Sequence, residues 1–320
     1  MSAPQFPGKI AALCGGVGGA KLALGLTHVL APDQLSIIVN TADDFEHLGL
    51  AISPDIDTVT YTLAEEVNPE TGWGRKDESW RFMQALERLG GETWFNLGDT
   101  DLATHAFRTA RRAGGMRLTE VTRDITRALG IKVPILPATD DKIRTIVETD
   151  EGALPFQRYF VGRRCEPVAR SLRFDNAQNT RLTPEVIAAL EAPDLAAIVI
   201  CPSNPYLSVD PILAIPSAQA LIRARGVPVI AVSPIIGGKA VKGPLAKMMA
   251  EFGGTSDVAS IARHYTGLAD VLLVDHADED VTFDGPQKRV AKTMMTTLQD
   301  RIELARVVLD IAAEGKESAG

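Results

Sequence analysis

The chain is poor in cysteine. It has three in 320 residues, Cys14, Cys165 and Cys201, far apart and without metal-ligand spacing. That count excludes a disulfide framework and a cysteine-held zinc site. No apolar run reaches the roughly 18 residues a membrane-spanning helix needs. Met1 to Gly8 lacks a basic start and a long apolar stretch, so no secretory signal is expected. Positive charge is short: 33 Lys and Arg against 41 Asp and Glu give a net charge of −8. A broad nucleic-acid footprint is therefore not expected. These absences point to a reduced, cytoplasmic setting. Neither G-x-G-x-x-G nor G-x-x-x-x-G-K-[ST] occurs at the first strand. No Ser-His-Asp order, nucleophile elbow or Cys-His pair stands out, so a covalent enzyme intermediate is unsupported. With no internal repeat and no low-complexity linker, one α/β domain over 1–320 is expected, with an inserted subdomain at about 131–180.

What the sequence does contain is organised around residues 9–30. The apolar run Lys9-Ile10-Ala11-Ala12-Leu13-Cys14 meets Gly15-Gly16-Val17-Gly18-Gly19-Ala20-Lys21, and a helical pattern follows. This is the layout of a first parallel strand, a tight turn and a helix start. Glycine there tolerates positive φ and lets a ligand approach the backbone. The helix N-terminus favours an anion, usually a phosphate, and Lys21 adds a mobile positive charge. The competing reading is a turn that only packs strand against helix.

A second buried strand, Leu35 to Asn40, ends in Thr41-Ala42-Asp43-Asp44. Pro54-Asp55-Ile56-Asp57-Thr58 follows, ahead of a helix predicted over Val59 to Glu66. Asp55 or Asp57 could cap that helix. A cap does not account for four neighbouring aspartates, whose hard oxygens suit Mg²⁺. Next come a loop with Trp73, a helix predicted over Glu78 to Leu89 with Trp80 and Met83 on its core face, and a strand end at Trp94 to Asp101. The helix after it spans Leu102 to Ala113; Asp101 alone would pass as its cap and His105 as a capped or core histidine.

Residues 116–130 form an amphipathic stripe. Ile143 to Thr149 and Phe156 to Val161 alternate as antiparallel strands of an insertion. Arg158, Arg163, Arg164, Arg170 and Arg173 make it the most basic stretch, either a solvated face or a seat for an anion. Later strands, Leu195 to Cys201 and Val227 to Val232, run into Pro202-Ser203-Asn204-Pro205 and Ser233-Pro234-Ile235-Ile236-Gly237. A last strand spans Val271 to Val274. A C-terminal helix is expected over Leu298 to Ala312, with Glu314 to Gly320 beyond its ordered end. The fold read from this is a Rossmann-like, doubly wound, mostly parallel sheet with an antiparallel α+β insertion. In such a sheet the strand ends share one edge. Phosphate turn and carboxylates then converge, which suits phosphoryl-group chemistry.

Taken together in order, Gly15 to Lys21, Asn40 to Asp44, Pro54 to Thr58, Leu97-Gly98-Asp99, Asp101 to His105, Ser203-Asn204-Pro205 and Ser233 to Gly237 resemble the 2-phospho-L-lactate transferase family of deazaflavin coenzyme F-420 biosynthesis. The resemblance implies a Mg²⁺-dependent transfer. The donor would be a guanosine diphosphate ester of lactate, phosphoenolpyruvate or phosphoglycerate. The acceptor would be the ribityl hydroxyl of deazaflavin Fo, and GMP the leaving product. It implies that Gly15, Gly16, Val17, Gly18, Gly19 and Lys21 hold donor phosphates. It implies further that Asp43, Asp44 and Asp57 bind Mg²⁺ or orient the acceptor, with Asn40, Asp99, Ser203, Asn204, Pro205 and Gly237 lining the donor site. Tryptophans near 73 and 94 would neighbour the deazaflavin ring, and a homodimer is expected. Two departures stand out: Thr100 where the family usually carries arginine, and Asp210 where it usually carries glycine. Two other readings remain open: a dinucleotide-dependent oxidoreductase and a non-catalytic nucleotide-binding protein.

Overall fold

Seven parallel strands build the centre of the protein, and we number only these: β1 Lys9–Cys14, β2 Leu35–Val39, β3 Ile135–Pro137, β4 Leu195–Ile200, β5 Val229–Val232, β6 Val271–Val274 and β7 Gln287–Val290. The computed structural model describes residues 6–317. Met1 to Gln5 and the last three residues, on which parts of the leader and C-terminal expectations fall, lie outside the described residues. The strand order is β7-β6-β5-β4-β1-β2-β3, with every pairing parallel. The chain winds outward from β1 to β3, then returns to the other side of β1 and winds out through β4 to β7. That is the doubly wound order, with its switch point between β1 and β4.

The inner strands are continuous apolar runs because both faces are covered, whereas the edge strand β7 reads Gln-Lys-Arg-Val and is partly exposed. In β1, Ala11 and Leu13 enter one core layer, and Ile10, Ala12 and Cys14 enter the other. The second layer is closed by helix α1 (Gly16–Thr27) and the C-terminal helix Leu298–Glu317. Gly25 makes that packing possible: a Cβ there would stand 2.1 Å from the Arg301 carbonyl oxygen. The C-terminal helix runs through Glu317, five residues past its expected end at Ala312. Between β3 and β4 the chain forms a three-stranded antiparallel sheet of Arg144–Thr149, Gly152–Pro155 and Ala169–Asp175.

Four local expectations need correction. Helix α2 (Pro54–Leu63) starts five residues before Val59, with Pro54 at its first position, so Asp55 and Asp57 sit in its first turn. Phe156 to Val161 is not a strand: Arg158–Gly162 is a wide helical turn. Phe156 and Phe160 stack at 5.4 Å, which is i,i+4 rather than alternating geometry. Helix α3 (Arg81–Arg88) begins after Trp80, which is 41% exposed and no core residue. Trp94 to Gly98 carries no strand; it runs irregularly into helix α4 (Asp99–Ala113), which starts three residues before Leu102.

Candidate functional site

A cavity of about 560 Å³ opens at the switch point, between the turn after β1 and the loop after β4. The two loops are tied together. Ser203 Oγ accepts from Gly15 N at 3.3 Å and donates to Gly15 O at 2.9 Å. Gly18 and Gly19 are the points of closest approach: a Cβ at Gly18 would meet Pro202 O at 2.2 Å, and one at Gly19 would meet Ser203 Oγ at 2.6 Å. Gly16 differs. It adopts φ of +61° and a Cβ there would meet nothing within 4 Å. Gly15 caps α1 with no side-chain bond, and the first turn of the helix holds no acidic residue. The helix N-terminus faces the cavity with its first N–H, that of Gly16, already taken by Asp55 Oδ1 at 2.8 Å. The packing reading of the turn holds at Gly18 and Gly19, while Gly16 leaves open space beside the helix start.

The aspartates divide by role. Asp55 accepts from Gly16 N at 2.8 Å and from Asn40 Nδ2 at 3.0 Å. Asn40 Nδ2 also reaches Leu207 O at 3.1 Å, so Asn40 and Asp55 brace the turn from below. Asp43 is buried on the cavity wall with Oδ1 unbonded. Burial, then the charge of Asp55, pushes its carboxyl well above the ordinary value. Asp57 is buried too; Oδ1 accepts from Arg108 Nη2 and Oδ2 is unbonded. Burial raises its carboxyl, against the opposing charge of Arg108.

Arg108 is the buried cation of the site, only 1% exposed. Besides Asp57, its Nη1 donates to Ala51 O at 3.2 Å and to His105 Nδ1 at 3.2 Å. Arginine has only donors, so Nδ1 accepts and the ring proton sits on Nε2. That nitrogen stands 3.2 Å from Asp101 Oδ2, while Tyr61 donates to Asp101 Oδ1 at 2.6 Å. Burial opposes charge on Asp101, but these donors prevail and hold its carboxyl below the ordinary value. Asp57, Asp101 and His105 offer ligand atoms within 4.8 Å of one another.

Asp44 faces away from its neighbour Asp43. It is absent from the cavity wall and accepts from Ser53 Oγ at 2.8 Å. Burial raises its carboxyl to about 7. A raised native value means the folded state holds a proton that the unfolded chain releases, so stability falls as pH rises from 3.8 to about 7. Asp44→Asn should flatten this part of a thermal-melting profile against pH; an unchanged profile would remove Asp44 as its source.

Beyond the carboxylates the wall is aromatic: Trp73, Trp94, Phe95, Phe156 and Phe160 line it. Arg158 lies 4.0 Å over the Trp94 ring from outside. Neither Arg158 nor Arg163, Arg164, Arg170 or Arg173 is on the wall. Arg158 pairs with Glu92, Arg163 with Glu151, and Arg173 with Glu148 and Asp175. The basic stretch is a solvated face.

Of the residues singled out in the sequence, Gly15, Gly16, Val17, Gly18, Lys21, Asp43, Asp57, Ser203 and Asn204 meet at this cavity. Asn204 Oδ1 caps the turn Pro205–Val209, leaving Nδ2 buried without a partner. Gly19, Asn40, Asp44, Asp99, Pro205 and Gly237 are off the wall. Asp99 accepts from Ser79 Oγ and from the backbone of Arg81 and Phe82. Pro205 opens the helical turn that Asn204 caps. Gly237, with Gly238, makes a positive-φ hairpin turn anchored by Asp278. Thr100 is exposed and Asp210 bonds His264 at 2.8 Å, so neither departure reaches the cavity. Sequence reasoning missed Arg108 and Tyr61 altogether. Asp101, His105 and Arg108 recur at i, i+4 and i+7, one face of α4, and Asp57 and Tyr61 at i, i+4 on α2; those two stripes were the available signal.

Residues 10–308 match the family model for 2-phospho-L-lactate transferase CofD. The chain is 40% identical over 310 residues to a 2-phospho-L-lactate transferase of Methanopyrus kandleri, covering 96% of this chain and 98% of that one. It is 39% identical over 316 residues to a phosphoenolpyruvate transferase of Streptomyces griseus, covering 96% and 99%. Among solved structures, a UPF0052-family protein of Bacillus halodurans matches in fold with TM-score 0.61 at 16% identity, covering 94% of this chain and 98% of that one.

Proposed function

The chain belongs to the 2-phospho-L-lactate transferase family, and from that membership we propose that it moves a phosphorylated three-carbon acid from a guanosine diphosphate ester to a ribityl hydroxyl of deazaflavin Fo. The hydroxyl oxygen forms a bond to the phosphorus that bears the acid. The bond from that phosphorus to the bridging oxygen breaks, GMP leaves with that oxygen, and the hydroxyl proton is released. The observation that carries this reading is the one cavity in which the glycine-built start of α1, two buried carboxylates with unbonded oxygens and an aromatic wall meet.

The first turn of α1 and Lys21 serve the diphosphate. The buried Asn204 amide is a free donor on the same side. The aromatic wall suits a flat tricyclic ring. Asp43 Oδ1 and Asp57 Oδ2, buried and without partners, are hard oxygens that fit Mg²⁺, and these two residues would hold it. When bound, the ion supplies charge neutralisation at the phosphates. Arg108 fixes the direction of Asp57, and Tyr61 and His105 fix that of Asp101. A homodimer in the cytoplasm fits the same proposal.

Incubation with Fo, Mg²⁺ and each guanosine donor in turn, with mass spectrometry of the product, tests it. A phosphodiester of Fo and equimolar GMP are expected with one of the lactyl, enolpyruvyl or glyceryl donors. No adduct with any of them, or NADH binding without Mg²⁺, would count against it.

A further inference from the structure

Three cations gather along α1, Lys21 and Lys242 on the cavity wall and Arg301 beside Gly25 and off the wall, with no carboxylate paired to them among the described residues. Lys21 Nζ bonds only the Met295 carbonyl, at 3.0 Å. Arg301, on the C-terminal helix, is half-buried with Nε unbonded. Lys242 is exposed on the cavity wall. Burial, then the charges of Arg301 and Lys242, hold the Lys21 ammonium below its ordinary value, so the three repel one another. In a chain of net charge −8, such a cluster calls for an anion of more than one charge.

Lys242 makes one further contact. Its Nζ donates to Thr71 O at 2.6 Å. Thr71 belongs to the loop 67–75, which closes on itself through the Val67–Arg75 bridge and the bonds Asn68 N to Gly74 O (3.0 Å) and Gly72 N to Asn68 O (2.9 Å). The tip of this loop rests on α1. Gly72 adopts φ of +78°, and a Cβ there would stand 2.6 Å from Val17 Cγ1 and 3.5 Å from Lys242 Nζ. The next residue is Trp73, 55% exposed and on the aromatic wall. One ammonium thus bonds the segment that carries an exposed indole, and that segment rests on the helix start.

We infer that Lys242 binds the diphosphate of the donor and, through Thr71, positions the Trp73 loop, so that donor binding and completion of the aromatic wall are one event. The inference rests on the donor reading above. An ammonium has three donors. One holds Thr71 O, which leaves two for phosphate oxygens. The arrangement also separates donor from product, because GMP has lost the second phosphate that the cations would hold.

The test is titration of GDP and of GMP, with Mg²⁺ present, into the wild type, Lys242→Met and Lys242→Arg, read by calorimetry and by tryptophan fluorescence, with Trp73→Phe as the blank. In the wild type GDP should bind more tightly than GMP and change the Trp73 signal. Lys242→Met should lose about tenfold in GDP affinity and far less for GMP, together with the fluorescence change; Lys242→Arg should keep most of both. Lys242 is exposed, so the variants should melt with the wild type. A Lys242→Met protein with the wild-type GDP-to-GMP ratio, or a wild type with no Trp73 response, overturns the inference alone. A wild type that binds no GDP overturns the donor reading and the inference with it.

Discussion

Asp57→Asn is expected to cut Mg²⁺-dependent GMP release by about 10³ and to lower the unfolding free energy by about 3–5 kcal/mol. The two effects have different origins on one side chain. Oδ2 is buried, unbonded and on the cavity wall, where a neutral amide would neither hold a divalent ion nor balance its charge. Oδ1 is the counter-charge of Arg108, which is buried and has no other carboxylate bonded to it among the described residues. Without Asp57 that guanidinium stays buried and unpaired. The double variant Asp57→Asn/Arg108→Met separates the two: it should regain much of the lost stability, because the pair is removed together, yet regain no turnover. Denaturant midpoints and GMP release on the same preparations measure both. Near wild-type turnover in Asp57→Asn would show that the carboxylate takes no part in the chemistry.

That buried pair marks where the sequence stops being readable. The inner sheet was legible because parallel strands write themselves as unbroken apolar runs, and Lys9–Cys14, Leu195–Ile200 and Val271–Val274 sit where those runs predict; the edge strands Ile135–Pro137 and Gln287–Val290, one three residues long and the other polar, were not. The turn after the first strand was legible because a glycine cluster between an apolar run and a helical pattern marks a close strand-to-helix approach. Arg108 was not. The stripe it shares with Asp101 and His105 says only which face of the helix it lies on, and its partner Asp57 is 51 residues away on another helix. The direction of neighbouring side chains was equally hidden: Asp43 and Asp44 read as a pair, but only Asp43 reaches the wall. Caps also hid function. Asp101 and His105 each have a bland reading on α4, and only the packing of α4 beside α2 joins them to Tyr61 and Asp57. Asp99 was the reverse case, a strand-end acid in the sequence that proves to hold the start of α3.

Gly18→Ala and Gly16→Ala should fail in different ways, although both change the same turn by one methyl group. At Gly18 the new Cβ would stand 2.2 Å from the Pro202 carbonyl oxygen, a backbone atom of the loop after β4. Relief requires the two loops to separate at the switch point. That would break the pair of Ser203–Gly15 hydrogen bonds and open the cavity floor. A loss of about 1–3 kcal/mol in stability is expected from the overpacking, with GDP affinity falling alongside it. At Gly16 the methyl would meet no protein atom within 4 Å. The left-handed backbone still costs about 1–2 kcal/mol with a side chain, but the cavity keeps its shape. The methyl then stands where a phosphate would approach the first turn of α1, so GDP affinity should fall at least tenfold in a protein whose melting temperature drops only modestly. Calorimetric GDP titration beside thermal melting of both variants decides this. A Gly16→Ala protein that binds GDP as the wild type does would mean that the open glycine is not where the anion sits, and would move the donor phosphates off the helix terminus altogether.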